Sequence, residues 1–281
     1  MAMSGINVCC NPFGTTYNPL SICKVIERLA KEQLFTSEEL VANGGLYHSF
    51  LHHGSFSHRD AKVALDVINR SLSSGADALR KADVVIITLG TAYVYELASS
   101  REVVNNCHKI PQEHFRRRLL GIEEIVEHLQ QMITTYLRGK RVIITVSPIR
   151  HRADGLHGNT ISKSTLQLSV HQLQERLGNS EEQRSLLYFP AYEILLDELR
   201  DYRWYADDMC HPSSKAADYI WDCFRECAFQ KSDLVAMDEV MRYRRLCAHR
   251  PLSDTPENNA KLEEQKQKIK EQIENKYSLI L

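Results

Sequence analysis

The sequence predicts an α/β fold built on a parallel sheet. Three short, near-continuous apolar runs, at Ala82–Leu89, Arg141–Val146 and Ser185–Phe189, have the composition of strands buried on both faces. The long segments between them place apolar residues at helical spacing. Strand–helix–strand alternation with connections of this length implies right-handed crossovers, and hence parallel pairing.

The elements follow in order. Ile6–Cys10 is a weaker strand candidate at the start of the chain. Helical patterns cover Ser21–Ala30, Asp60–Lys81, Pro111–Arg138, Ser162–Leu177 and Ser214–Cys227. Internal repeats and low-complexity linkers are absent, so residues 1–254 read as one α/β domain. Residues 255–281 read as a polar, helical C-terminal extension, because Glu, Lys, Gln and Asn dominate from Pro256 to Lys276.

Charge and composition exclude several classes. In 281 residues, 35 Lys and Arg nearly cancel 36 Asp and Glu, which leaves no basic field for nucleic acid. No apolar stretch is long enough to span a bilayer, so no membrane partner is expected. Met1–Gly5 lacks the basic and apolar regions of a signal peptide, and the eight cysteines do not read as a disulfide framework. A cytoplasmic protein with reduced thiols is the expectation.

Ligands of open α/β sheets gather at the carboxyl ends of the strands. The segments there are Asn11-Pro12-Phe13-Gly14-Thr15-Thr16-Tyr17-Asn18-Pro19, Gly90-Thr91-Ala92-Tyr93 and Ser147-Pro148-Ile149-Arg150-His151. After the last strand and a helical stretch comes Asp208-Met209-Cys210-His211-Pro212. A carboxylate three residues before a histidine is the proton-handling half of a Ser-His-Asp system: the His takes the nucleophile's proton and the Asp fixes its tautomer.

Together these segments resemble the GSCFA-domain family, related to the SGNH (GDSL-like) hydrolases, from about Asn11 to about Cys227. The resemblance implies a flavodoxin-like, three-layer α/β/α fold and hydrolysis of a small or carbohydrate-linked acyl ester. It implies that Asp208 and His211 are catalytic and that Gly14 and Gly90 offer backbone N–H groups to an oxyanion. Asn11, Thr91, Ser147, Arg150 and His151 complete the expected substrate-binding set. Thr91-Ala92 stand where the superfamily has an Asn.

The family's Gly-Ser-Cys-Phe-Ala segment, which follows a first strand, has no counterpart ahead of Asn11. Two expectations follow from the resemblance. The sheet lacks its first strand, and the exposed edge favours a homo-oligomer. The nucleophilic Ser is missing, so the chain is expected to be an inactive esterase; the alternative is a non-catalytic binding protein or fragment that keeps the pocket. Ser147 and Cys10 are the substitutes to weigh, although a turn-capping Ser and a packed thiol are the commoner roles of such residues.

His48 and His52 stand four apart, as metal ligands on a helix do, but no third ligand matches and Gly54, Ser55 and Ser57 argue for a loop. No metal is expected. His157 and Asn159 follow Arg150 and His151 in a loop suited to orienting a polar or anionic substrate. The Gly-containing loops carry no dinucleotide or phosphate-loop fingerprint, so no nucleotide cofactor is expected.

Overall fold

The computed structural model describes residues 5–178, 185–248 and 256–277. Met1–Ser4 and the expected domain boundary between residues 254 and 255 lie outside the described residues. The chain divides into two compact units, one of residues 11–220 and one of residues 1–10 with 221–281.

The larger unit is a mixed α/β body. Its central sheet has the order β3 (Val84–Leu89), β7 (Arg141–Val146), β8 (Leu186–Phe189), all parallel, in the register Val84 to Arg141 and Val142 to Leu186. On one face, Ile87 and Leu89 of β3, Val142, Ile144 and Val146 of β7, and Leu186 of β8 form the main core. Three helices cover that face: α1 (Pro19–Ala30), α3 (Ile122–Tyr136) and α4 (Gly155–Leu177). The short helix Ala191–Glu193 packs on β7, and Ile194 and Leu195 of the π-helical stretch Ile194–Leu199 that continues it are buried. Helices thus flank a parallel sheet, as a three-layer α/β/α fold requires.

All three apolar runs form strands. Residues 6–10 do not: they carry no regular structure. β3 is therefore an edge of the described sheet, with Val84 and Ile86 exposed at 40% and 39%.

Two smaller sheets went unseen in the sequence. β1 (Leu40–Asn43) and β2 (Leu46–Ser49) form a hairpin whose Gly44-Gly45 turn has φ of 58° and 75°, the two positive values a tight hairpin needs. β4 (Tyr93–Leu97) is flanked antiparallel by β5 (Val103–Val104) and β6 (Phe115–Leu119). This corrects the long helix expected over Pro111–Arg138: its first part is a turn and strand β6, and α3 begins only at Ile122. The strand Phe115-Arg116-Arg117-Arg118-Leu119 carries three consecutive arginines and so shows no apolar alternation, and the helical pattern beyond it extends over it. Helix α2 (Ala61–Lys81) is capped by Asp60, which accepts from the Lys62 and Val63 amides; its Ile68 and Leu72 join Phe13, Val25, Leu29 and Phe35 in a second core.

The last helix of the larger unit starts at Ser214 and runs on as α5 (Ser214–Ala228). In the smaller unit α6 (Lys231–Ala248) packs on α7 (Pro256–Tyr277). The polar C-terminal segment is helical as patterned, yet it buries Ile273, and Lys276 pairs with Glu239 of α6 at 2.8 Å.

Candidate active site

Asp208 and His211 meet. Met209 adopts a left-handed φ of 58°, which turns the chain tightly enough for Asp208 to reach forward. Asp208 Oδ1 accepts the amides of Cys210 and His211, both at 2.9 Å, and Oδ2 lies 2.5 Å from His211 Nδ1. The two backbone amides, then the imidazole, pull the Asp208 carboxyl down to about 2. An ionised partner at Nδ1 holds the proton there and leaves Nε2 as the free base. Nε2 has no hydrogen-bond partner among the described residues, and the His211 side chain is 60% exposed.

The turn is closed by its own backbone. Ala206 N donates to His211 O at 2.8 Å, Met209 N to Ala206 O at 2.9 Å, and Tyr205 bridges Pro212. Ser213 N donates to Trp204 O at 2.7 Å, and the Ser213 hydroxyl accepts from Ala216 N at 3.3 Å, capping α5.

Arg150 joins this turn to the end of β7. Its amide donates to Cys210 O at 3.2 Å and its Nη1 to Met209 O at 3.3 Å. The guanidinium carbon lies 3.9 Å from the Tyr205 ring centroid and 5.8 Å from that of Tyr202.

The strand ends form a second cluster around Lys163, a residue that sequence reasoning missed. Lys163 projects from α4, is 1% exposed, and donates at 2.6 Å to both Gly90 O and Ser147 O. Burial holds its ammonium down to about 8, against the upward pull of Asp154. Asp154 is itself ion-paired with Arg117, whose guanidinium lies 3.9 Å from the Tyr93 ring centroid. A lysine flanked by Ser162, Ser164 and Thr165 looks like a solvated helix position. The only sequence signal is that Leu166, Val170 and Leu173 place Lys163 on the buried face of α4.

The remaining expected site residues fall as follows. Gly90 N and Thr91 N both donate to Tyr17 O, at 2.8 and 3.1 Å. A Cβ on Gly90 would sit 3.0 Å from that oxygen. Thr91 Oγ1 lies 3.1 Å from Ser162 Oγ. The Ser147 hydroxyl accepts from the Ile149 amide at 3.2 Å, a turn-capping bond. His151 N donates to Asn159 Oδ1 at 3.0 Å and its ring stands edge-on to Tyr17. Burial first, then the Lys163 charge, hold the His151 imidazole below its ordinary range. Asn11, with φ 46°, accepts the Gly14 amide at its carbonyl at 2.8 Å, and this turn packs on His53, whose amide donates to Phe13 O at 2.9 Å. The structure thus gathers Tyr17, Gly90, Thr91, Ser147, His151 and Lys163, and joins Arg150 to Asp208 and His211. The amides of Gly14 and Gly90 are engaged within the chain.

The histidine pair at 48 and 52 is not on a helix. His48 lies on β2 and bonds Ser57 Oγ at 2.6 Å and Asn43 O at 3.1 Å; His52 bonds Ser49 Oγ at 2.9 Å. Among the described residues no group of three or more His, Cys, Asp or Glu is placed to hold a metal. None of the eight cysteines forms a disulfide. No helix among the described residues is long and apolar enough to cross a membrane. A cavity of about 440 Å³ between α1, α3 and the β4 sheet contains none of the strand-end residues, and its Glu27, Glu96, Glu102 and Glu124 are all held by Lys or Arg.

The sequence model of the GSCFA family matches residues 1–224. No curated protein and no solved structure matches the chain.

Proposed function

The chain belongs to the GSCFA family, and on that footing we propose that it is an SGNH-like site directed at a small or carbohydrate-linked acyl ester. The observation that carries this reading is the 2.5 Å contact between Asp208 Oδ2 and His211 Nδ1, with Nε2 open to solvent. In hydrolysis His211 Nε2 takes the proton from the attacking hydroxyl and returns it to the leaving alcohol, and Asp208 stabilises the imidazolium between the two steps. Among the described residues neither Ser147 nor any other hydroxyl or thiol bonds Nε2. A water molecule activated by His211 is then the attacking group, and turnover is slow relative to a complete triad.

A second reading has its own observation. The Gly90 and Thr91 amides are both turned onto Tyr17 O, and the Gly14 amide onto Asn11 O. A site that keeps its polar side chains while its glycine amides are taken up within the chain suits a protein that binds an acyl ester without cleaving it.

Hydrolysis of p-nitrophenyl acetate by the full chain and by His211→Ala separates the two. A rate above background that is lost in His211→Ala supports the hydrolase. Equal, background-level rates leave only the binding reading.

A further inference from the structure

Arg150 differs from the other arginines packed into the larger unit. Arg28 pairs with Glu39, Arg117 with Asp154, Arg118 with Glu96 and Glu124, and Arg176 with Glu123. Arg150 has no carboxylate within ion-pair distance among the described residues. The acid closest to it along the turn, Asp208, is already engaged: two amides take Oδ1 and the imidazole takes Oδ2.

The guanidinium is nevertheless held in place. It lies on the Tyr205 ring at 3.9 Å, and Nη1 donates to Met209 O, inside the turn that presents His211. Burial pushes the Tyr205 phenol up and the Arg150 charge draws it back, so the two groups share one partly desolvated environment. Stacking fixes the plane of a guanidinium; the bond to Met209 O and a contact with the Tyr205 hydroxyl occupy two of its five donors and leave the others free. What is left is a pre-oriented, uncompensated cation beside a reactive histidine.

We propose that Arg150 is an anion-recognising group that receives a carboxylate or phosphate carried by the substrate, next to His211. This deepens the ester-directed reading by naming a substrate class, an acyl ester with an anionic oxyacid group on its acyl or alcohol part. The oxyacid takes the free N–H groups of the fork. The rings of Tyr205 and Tyr202 back the cation and flank the adjoining part of the ligand.

The test reads binding rather than turnover, so the fate of the hydrolase reading does not decide it. The imidazole NMR signal of His211 in the full chain, identified by its loss in His211→Gln, is followed during titration with inorganic phosphate and, separately, acetate at constant ionic strength. A saturable shift with either anion is expected, and the tighter of the two identifies the head group. Arg150→Gln weakens that binding by about tenfold or more, as loss of a charge-assisted hydrogen bond does. No saturable shift in the unaltered chain, or equal affinity in Arg150→Gln, overturns the proposal.

If Arg150→Gln displaces the His211 signal before any anion is added, Arg150→Lys decides. An undisplaced signal with affinity lowered several-fold supports recognition by the planar fork. Unchanged affinity, or a signal already displaced, assigns Arg150 to propping the turn and overturns the proposal. A chain that binds the anion yet cleaves no ester keeps this inference and loses the hydrolase reading.

Discussion

Lys163 Nζ donates to the Ser147 carbonyl at 2.6 Å and to the Gly90 carbonyl at the same distance, so one buried ammonium ties the carboxyl ends of β3 and β7 together. These are the ends from which the Thr91 and Arg150 loops depart. The backbone parts there, and the carbonyls just beyond the ladder need donors from outside the sheet: Lys163 serves both, and the His151 ring also bonds Gly90 O. The lysine supplies what the sheet cannot.

Replacing Lys163 with Met leaves both carbonyls without that donor and should destabilise the fold by about 2–4 kcal/mol at neutral pH. The pH dependence is more diagnostic. The ammonium is held near 8 from an ordinary 10.5, so between these values the unfolded chain binds the proton that the folded chain releases. Stability therefore rises with pH from about 8 to 10.5, by up to about 3 kcal/mol from this group. Urea unfolding across that range should show the slope in the native chain and lose it in Lys163→Met.

Asp208→Asn should keep the turn, because an amide oxygen still accepts the Cys210 and His211 N–H groups, yet it removes the charge that holds the proton on Nδ1. Any ester hydrolysis should fall by about 10³–10⁴. The Asp208 carboxyl is pulled from 3.8 to about 2, so its contribution is complete above 3.8 and is lost as pH falls through about 2. Carboxyl carbon NMR should place the titration there; a titration near 4 would contradict the closed geometry.

Gly14 and Gly90 should respond very differently to alanine. Gly14 has φ 82°, and a Cβ there would lie 2.2 Å from the His53 Cβ, whereas Gly90 needs only a few tenths of an ångström from the Tyr17 carbonyl. Gly14→Ala should cost about 2–4 kcal/mol and Gly90→Ala about 1 kcal/mol or less, measured by urea midpoints.

His52 is fully buried, stacks 4.2 Å from Phe13 and leaves its Nε2 without a partner. Burial, then the charges of Arg28 and His108, hold its imidazole down to about 3. Between pH 6.5 and 3 the unfolded chain takes a proton that the folded chain refuses, so stability falls as pH drops through this window. His52→Phe should flatten that fall by up to about 3 kcal/mol between pH 7 and pH 4, read as thermal midpoints at those two values.

What could be read beforehand follows from how far each signal reaches along the chain. The strands at 84–89, 141–146 and 186–189 are dense apolar runs, and Asp208 with His211 is a local pair three residues apart. Strand β6 was hidden because Arg116, Arg117 and Arg118 break any apolar alternation; it exists by pairing with Tyr93–Leu97 about twenty residues upstream. Residues 6–10 have strand-like composition but pair with no strand among the described residues, and composition without pairing makes no ladder. Lys163 becomes visible only when α4 is laid over two strand ends that are far apart in sequence.

The bonds that shape the Asp208 turn run almost entirely between residues 204 and 213. Such a segment is a portable cassette: its shape is written in its own ten residues and depends little on the rest of the framework. Substitutions elsewhere in the body should leave the Asp208–His211 contact in place, Arg150 excepted, whose amide and guanidinium brace the turn from the end of β7.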